Sequence, residues 1–473
     1  MLETLNNWII SANDWIWTYL LIILLILIGL YFTFKSRFVQ FRYFGEMFRL
    51  LGQGVSNGKG KNSVSSFQAF CIATASRVGT GNLAGVATAV ALGGSGAVFW
   101  MWVLALIGSA SAFVESTLAQ IYKEKGERSF IGGPAFYIGK GLKKKGLALL
   151  FAFIIIITFG LVFNSVQANT IAIAFHEIYG TGQLGPAIIL TFFTLITIFG
   201  GIHRIARVAG IIVPFMAIAY ILVALFILFN HMTAIPALIG HIFSNAFGIE
   251  QVVGGGLGAT IMQGVRRGLF SNEAGMGSAP NAAATATVSH PVKQGLVQML
   301  SVFIDTLLIC SATAFMCLST NIDPVKYAVD GSADAAGYVQ ASMGDALGSF
   351  GPIFLAVAMS LFAFTTLIGN YSYCEGCLEF IIRRVPSRGE LLVFRIIATV
   401  VVYIGAVASA AFVWDTADML QGMIVVVNVP TILILGGTAV RCLNDYVKQR
   451  KEGKDPHFIA KDIGVKEDTD FWK

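Results

Sequence analysis

The sequence predicts an all-α integral membrane protein of about eleven transmembrane helices. Of its 473 residues, 56% are hydrophobic and only 12% are charged, and the mean hydropathy is +0.75. Soluble domains carry about twice that charged fraction. Apolar runs long enough to cross a bilayer core of about 30 Å recur along the chain. They lack the alternating ten-residue pattern of a membrane β-barrel, so helices are the predicted spanning elements.

The apolar runs define the predicted spans in chain order. Each is long and apolar enough for a transmembrane helix. They lie at residues 16–34, 64–93, 97–122, 148–177, 185–202, 208–230, 243–265, 293–320, 350–381, 391–413 and 417–441. This odd number of spans places the two termini on opposite sides of the membrane.

The basic residues indicate which terminus faces the cytoplasm. Of the 32 Lys and Arg residues, thirty fall on one side of this topology, while Lys326 falls opposite and Arg77 lies inside a span. Cytoplasmic loops carry such an excess of positive charge, so we predict an outer N-terminus and a cytoplasmic C-terminus. The same bias accounts for the net charge of +6, so no nucleic-acid partner is implied.

The predicted outer loops carry carboxylates instead. A negative outer mouth would concentrate cations, although simple solvation of the loops explains the pattern equally well. The acidic residues are Asp323, Asp330, Asp334, Asp345, Asp415 and Asp418.

Two predicted spans contain glycine clusters. The second span holds Arg77 to Asn82, with the sequence RVGTGN, and the seventh holds Gly254, Gly255 and Gly256. A glycine inside a helix costs about 1 kcal/mol, so a cluster marks a place where a helix stops and restarts. Irregular backbone at membrane depth survives only where it lines a cavity or is buried. Close helix packing through small residues is the alternative, and it competes more strongly at the seventh span.

The spacing of the two clusters indicates a transporter architecture. With the first span set aside as peripheral, the clusters fall five helices apart, which is typical of an inverted five-helix repeat with a substrate site near the membrane centre. At such breaks, half-helix N-termini attract a carboxylate and freed carbonyls attract a cation. The predicted organisation is an N-terminal helix and linker (1–62), a first repeat (63–242), a second repeat (243–443) and a cytoplasmic tail (444–473).

Five motifs in order resemble the alanine or glycine:cation symporter family, the sodium:alanine symporters. The motifs cover essentially the whole chain. They are ASRVGTGNLAGVATA (75–89), GGPAFYI (132–138), RRGLFSNEAGMGSAPNAAATA (266–286), HPVKQGLVQML (290–300) and WDTADML (414–420). The resemblance implies a sodium-coupled symporter of the bacterial inner membrane that imports small neutral amino acids, alanine or glycine, by alternating access. It implies no cofactor beyond the coupling sodium ion and no obligate protein partner.

The resemblance also implies a fold and a set of site residues. The fold is that of the bacterial leucine transporter with one extra N-terminal helix. The unwound segment then includes Gly79, the amides of Thr80 and Gly81 hold the substrate carboxylate, and Asn82 orients it or binds an ion. The implied sodium ligands are the carbonyls of Ala75, Val78 and Phe362 and the hydroxyls of Thr365 and Thr366. Oxygen ligands suit a hard cation.

Further polar residues could reach the substrate. Asn164 and Gln167 share one face of an apolar span, although a hydrogen bond between helices is the alternative, and Gln68 is a weaker candidate. Asn370 stands where some relatives carry tryptophan, which leaves the exact substrate open, with glutamine or serine as alternatives. The glycines at 254–256 would let a helix approach a small side chain closely.

A charged residue inside a span costs free energy, so it is expected either to have a function or to be paired structurally. They are Arg77, Glu115, Asp305 and Glu375. Arg77 lies beside the first break, where it could pair with Glu115 or Asp305. Residues 266–281 are interpreted as a cytoplasmic loop that caps the inner gate or couples to it.

Other function classes fit less well. A membrane-embedded enzyme needs clustered catalytic groups, whereas the six histidines are scattered and neither HExxH nor a P-loop occurs, so no enzymatic activity is predicted. The six cysteines indicate neither a disulfide framework nor a zinc site. The CxxC of Cys374 and Cys377 on one apolar helix favours packing over redox chemistry. A channel is disfavoured by two breaks in one chain.

Overall fold

The computed structural model describes residues 13, 15–56, 64–126, 129–180, 184–248, 256–329, 332–408, 410–465, 469 and 471–472. This part of the chain is mostly helical. Within it, 8 helices are long and apolar enough to cross a membrane. The chain is therefore a multi-pass membrane protein, and the number of eleven spans stays a prediction.

The first half of the chain contains α1 to α11. Their bounds are α1 Ile22–Lys35, α2 Val39–Arg42, α3 Phe44–Ser56, α4 Ser66–Arg77, α5 Ala84–Gly93, α6 Gly96–Ile121, α7 Pro134–Lys140, α8 Lys145–Ile157, α9 Phe163–Tyr179, α10 Leu184–Ile198 and α11 Gly201–Asn230. A π-helical turn, Ile16–Leu21, precedes α1, and another, Thr158–Val162, joins α8 to α9. Strands β1 (Glu124–Lys125) and β2 (Phe130–Ile131) form a short antiparallel hairpin.

The second half contains α12 to α20. Their bounds are α12 Ile235–Ala246, α13 Gly256–Asn272, α14 Ala279–Thr285, α15 Pro291–Val302, α16 Ser311–Leu318, α17 Ala335–Leu347, α18 Phe350–Ile382, α19 Arg388–Val407 and α20 Ala410–Lys451. A π-helical segment, Phe303–Cys310, joins α15 to α16. Strands β3 (Ala328–Val329) and β4 (Ser332–Ala333) pair antiparallel, and short 3₁₀ turns lie at Thr80–Asn82, Met232–Ala234, Pro324–Tyr327 and Ala460–Ile463.

The predicted first break is present. Helix α4 ends at Arg77, a 3₁₀ turn covers Thr80–Asn82, and α5 begins at Ala84. The start of α4 is fixed by a capping box, in which the Ser65 hydroxyl accepts from the Gln68 amide and Gln68 Oε1 accepts from the Ser65 amide. Both polar groups satisfy backbone donors that the first helical turn leaves without partners.

The prediction of a loop at 266–281 is wrong, because this segment contains the end of one helix, a short non-helical turn and the start of the next helix, which together form a second broken helix. Helix α13 continues to Asn272, residues 273–278 are non-helical, and α14 restarts at Ala279. The chain turns through positive φ at Glu273 (56°), Gly275 (85°) and Gly277 (85°), a conformation that two glycines adopt without Cβ strain. Of the predicted cluster, Gly254 and Gly255 lie outside the described residues.

The helices around the second break are buried. Helix α6 packs against α13, α14 and α15, and α1 packs on the outside of α6. Arg266 and Arg267 of α13 both pair with Asp418 of α20, at 3.0 Å and 2.6 Å. The prediction that placed these arginines and Asp418 on opposite sides of the membrane is therefore wrong, and all three lie inside helices and not in loops.

Candidate functional site

The first break frees two backbone carbonyls. In a continuous helix the Ala75 carbonyl would accept from the Gly79 amide, but that amide donates to Asn82 Oδ1 at 2.9 Å. The Asn82 amide in turn bonds the Gly79 carbonyl at 3.2 Å, and the Val78 carbonyl loses its helical partner. Asn82 thus stabilises the break, and the oxygens of Ala75 and Val78 are left for another donor or a cation.

Thr366 of α18 faces these freed carbonyls. Its hydroxyl lies 2.9 Å from the Ala75 carbonyl and 3.4 Å from the Val78 carbonyl. Three of the five predicted sodium ligands therefore meet at one place, and all are neutral oxygens, the ligand type that suits a hard monovalent cation. No cluster of His, Cys, Asp or Glu able to hold a metal occurs among the described residues.

The other two predicted sodium ligands bond each other. The Thr365 hydroxyl donates to the Phe362 carbonyl at 2.9 Å and lies 3.6 Å from the Met216 sulfur. This is the local bond that threonine commonly makes inside an apolar helix. The structure therefore distinguishes two neighbouring threonines that the sequence presents as equivalent.

The predicted substrate residues Thr80 and Gln167 are in direct contact. Gln167 Oε1 of α9 accepts from the Thr80 amide at 3.0 Å. A side chain at Gly79 would have its Cβ 2.9 Å from Gln167 Oε1 and even closer to the Thr366 hydroxyl, so only glycine fits between them. In this arrangement the amide expected to hold a substrate carboxylate is covered by a side-chain carbonyl oxygen, which must turn away before a carboxylate can bind.

Asn164 and Asn370 form a polar bridge beside the break. Asn370 Nδ2 of α18 donates to Asn164 Oδ1 of α9 at 3.0 Å, and Asn164 Nδ2 donates to the Gly160 carbonyl. Asn370 Oδ1 lies 2.6 Å from the hydroxyl of Ser76, at the end of α4. The bridge therefore connects α9 and α18 to the half-helix that precedes the first break.

Two of the predicted substrate residues do not lie near the first break. Gln68 caps the start of α4, about 13 Å along the helix axis from Arg77. Gly256 begins α13 at φ +64°, is exposed, and has no atom within 4 Å of where a Cβ would lie. Gly256 and the second break lie at opposite ends of α13, so Gly256 is too distant to line a pocket at the breaks.

Sequence reasoning singled out neither Glu273 nor Ser278 of the second break. Glu273 accepts from Ser278 at 2.6 Å, and its other oxygen lies 2.9 Å from the Ser76 hydroxyl. Glu115 of α6 accepts from the Gly275 amide at 3.3 Å and from Asn428 of α20 at 3.0 Å. The run NEAGMGS carried the signal, since it combines a carboxylate with helix-breaking glycines.

The predicted pairing of Arg77 with Glu115 or Asp305 takes a different form. The Arg77 guanidinium donates to the Gln298 carbonyl and to the Ser301 hydroxyl, and it interacts with Glu115 and Asp305 only through longer-range electrostatic attraction. Asp305 accepts from Asn82 at 2.7 Å. It also accepts from the hydroxyls of Ser271 and Thr306.

Glu375 lies apart from this cluster. Its carboxylate is 3.7 Å from the guanidinium of Arg395 on α19. This contact ties α18 to α19, as the structural interpretation of the intramembrane charges predicts.

Aromatic rings cover the first break on the side of Asp418. Phe270 of α13 lies against Gly81, and its ring centroid is 4.7 Å from that of Phe163 and 4.9 Å from that of Trp414. The guanidinium of Arg267 lies over Trp414, 4.9 Å from the ring centroid. The first break is therefore covered on one side by aromatic side chains, and the buried ion pair of Arg267 with Asp418 lies beyond them.

Comparisons with known proteins agree with this architecture. The family model for the sodium:alanine symporter family matches residues 2–460. The probable sodium/glutamine symporter GlnT of Bacillus subtilis is 50% identical, over 98% of this chain and 95% of its own. The amino-acid carrier protein AlsT of the same organism is 49% identical, over 99% of this chain and 98% of its own. A solved manganese transporter of Eremococcus coleocola shares the fold at a TM-score of 0.52 and 12% identity, with 83% of this chain and 81% of that chain covered.

Proposed function

This chain belongs to the sodium:alanine symporter family, and on that premise we propose that it imports small neutral amino acids, alanine or glycine first, together with sodium. The observation that carries the proposal is the meeting of the Thr366 hydroxyl with the freed carbonyls of Ala75 and Val78 at the first break. A cation held there would lie directly beside the segment whose amides suit a carboxylate.

Alternating access follows from the two breaks. Each of the segments 63–242 and 243–443 contains one of the breaks, which supports the inverted repeat that we propose for them. We propose that the half-helices on either side of each break swing, which opens the enclosed site first to one side and then to the other. Carriers and not enzymes use such a site, because it binds two solutes without acting on their bonds.

Glutamine is the second candidate substrate. The relative named as a probable sodium/glutamine symporter is 50% identical over nearly the whole chain. The Asn164 and Asn370 amides beside the first break could recognise a side-chain amide of the substrate. In contrast, Thr366 packs closely against Gly79, and Phe270 packs closely against Gly81. This packing leaves little room for a substrate with a long side chain in the closed arrangement.

Uptake by purified protein in liposomes tests the proposal. A tenfold inward sodium gradient supplies about 1.4 kcal/mol, and a membrane potential of about 100 mV supplies about 2.3 kcal/mol more. With one sodium per amino acid, alanine would accumulate about 500-fold. A sodium ionophore should abolish the accumulation, and uptake that is equal with and without a sodium gradient would refute the proposal.

The same vesicles separate the candidate substrates. Unlabelled alanine, glycine, serine and glutamine are each tested as competitors of labelled alanine at one sodium concentration. Competition by alanine and glycine at the lowest concentrations supports the first candidate. Competition by glutamine at a tenth of the alanine concentration would assign the chain to glutamine instead.

We further propose the bacterial inner membrane as its location, with the N-terminus outside and the C-terminus in the cytoplasm. The positive-inside distribution supports this orientation, even with Arg266 and Arg267 removed from the count. A membrane-impermeant thiol reagent should label a cysteine added at the N-terminus, but not one added at the C-terminus, of intact cells. The reverse labelling would invert the topology.

A further inference from the structure

One serine hydroxyl joins the two broken helices. Ser76 Oγ, at the end of α4, lies 2.6 Å from Asn370 Oδ1 and 2.9 Å from Glu273 Oε1. Both neighbours are oxygens, and both approaches are within hydrogen-bond distance. A serine hydroxyl carries a single hydrogen, so it can donate to only one of them. The second contact needs a hydrogen from another source.

The amide of Asn370 cannot supply that hydrogen unless another hydrogen bond is broken. Asn370 Nδ2 donates to Asn164 Oδ1, and Asn164 Nδ2 donates to the Gly160 carbonyl at 3.2 Å. If Asn370 turned its nitrogen toward Ser76, Asn164 would have to turn as well. Its Oδ1 would then face the Gly160 carbonyl, with two acceptors in contact. The network therefore fixes Asn370 with its oxygen toward Ser76, which must donate to it.

The missing hydrogen belongs on the carboxyl of Glu273. This side chain is 1% exposed, and its other oxygen accepts from the Ser278 hydroxyl at 2.6 Å. We propose that Glu273 is a proton-binding site, that its Oε1–H donates to Ser76, and that this proton holds the first break to the second in the enclosed arrangement. The proposal rests on the proposed transport function, because it makes the proton a regulator of how readily the two breaks separate.

Two other carboxylates close to the breaks, Glu115 and Asp305, show the opposite pattern. Glu115 faces the amide N–H of Gly275 and the amide nitrogen of Asn428. Asp305 faces Asn82 Nδ2 and two hydroxyls, those of Ser271 and Thr306, that can all donate. Both carboxyls therefore act as acceptors throughout, as the ionised form requires.

The surroundings of Glu273 determine how its proton responds to pH. The titratable or charged groups that interact with it are Arg77 at the end of α4, Glu115 on α6, Asp305 on the π-helical segment and Tyr373 on α18. When the proton leaves, a carboxylate oxygen, Asn370 Oδ1 and Ser76 Oγ share one hydrogen. The resulting repulsion favours separation of the two breaks, so alkaline pH should promote opening.

The test compares two glutamine variants. In Glu273→Gln, the amide can donate to Ser76 as the protonated acid does. In Glu115→Gln, the new NH₂ group meets a donor on either side, the Gly275 amide or the Asn428 nitrogen, so this variant is the matched control. Sodium-driven alanine uptake is measured from mildly acidic to mildly alkaline pH and normalised to the maximum of each protein. Wild-type uptake should change by up to about tenfold per pH unit over part of this range, as one titrating group allows.

We expect Glu273→Gln to flatten the pH profile and Glu115→Gln to keep it at lower thermal stability. A wild-type pH profile in folded Glu273→Gln would overturn the proposal. If that variant does not fold, infrared spectroscopy of the wild-type protein replaces it. A protonated carboxyl band that disappears at alkaline pH, and that shifts in Glu273→Asp, supports the proposal. The absence of such a band at neutral pH overturns it.

The infrared measurement also separates this proposal from the transport function. If the wild-type protein in liposomes shows no sodium-driven uptake, the proposed function fails. The protonated carboxyl of Glu273 can still be detected in detergent in that case. Conversely, sodium-driven uptake without the band leaves the function standing and removes only the proton site.

Discussion

Replacement of Thr366 by valine tests the proposed sodium site most directly. Valine keeps the branched shape of threonine but removes the hydroxyl that lies 2.9 Å from the Ala75 carbonyl and 3.4 Å from the Val78 carbonyl. Thr366 is buried, so no water can readily take the place of the lost oxygen. We therefore expect Thr366→Val to weaken sodium binding while the helices remain folded.

The size of the effect follows from the kind of contact that is lost. A contact between a polar group and a charged one contributes about 1.5–3 kcal/mol, so sodium affinity should fall by about 10-fold to 150-fold. The Ala75 carbonyl also loses its donor, which costs about 1–3 kcal/mol of stability. This loss should lower the melting temperature without unfolding the protein at room temperature.

The assay measures alanine uptake as a function of sodium concentration. Because the affinities of coupled ligands are reciprocally linked, alanine affinity at fixed sodium should also fall, and higher sodium should partly restore it. Thr365→Val is the matched control, since that hydroxyl bonds the Phe362 carbonyl of its own helix. Thr366→Ser should retain most of the sodium affinity. An unchanged sodium dependence in Thr366→Val, or equal effects of Thr365→Val and Thr366→Val, would refute the assigned geometry.

Three further predictions concern other parts of the molecule. Gly79→Ala should abolish sodium-driven uptake, because the added Cβ would overlap the Thr366 hydroxyl. If the variant purified in detergent is as monodisperse as the wild type, the loss of uptake comes from a local change and not from unfolding. Burial lowers the pKa of His290 at the start of α15, so the folded state favours its neutral form. Thermal stability should therefore decline as pH falls below about 6.5 and through the lower folded pKa, and His290→Asn, which can still cap the helix, should reduce this decline in melting curves taken against pH. Trp472→Ala should cost about 3–5 kcal/mol, because this side chain is buried and donates to the Gln120 carbonyl at 2.7 Å. Phe471→Ala, at a side chain that is 41% exposed, should cost clearly less in the same unfolding measurement.

The first break could be predicted from the sequence because its signal is local. Gly79 and Gly81 lie within five residues of Arg77, Thr80 and Asn82, and such a mixture of glycine and polar residues does not persist inside a continuous apolar helix. The structure then shows a reason that no local pattern contains. Gly79 is required by the close approach of Thr366 and Gln167 from two other helices, and its φ of −134° is open to any residue.

The break at residues 273–278 was not predicted, because two signals compete in this part of the sequence. The run of three glycines at 254–256 has the stronger local pattern, whereas residues 273–278 lie within a polar segment that hydropathy reads as a loop. In the structure that segment is buried, because Glu115, Asn428 and Ser76 supply its hydrogen-bond partners. Polar backbone at membrane depth needs such partners, and they come from residues distant in sequence.

The sequence by itself determined the membrane class, the family and the first break, since hydropathy, charge bias and contiguous motifs are properties of neighbouring residues. Only the tertiary structure decided which polar atoms meet. It brought Thr366, and not the Thr365 hydroxyl, to the freed carbonyls, and it placed Glu273 against Ser76. The physical reason is that a hydrogen bond depends on the distance and direction between two atoms, and for residues on different helices both are set by packing.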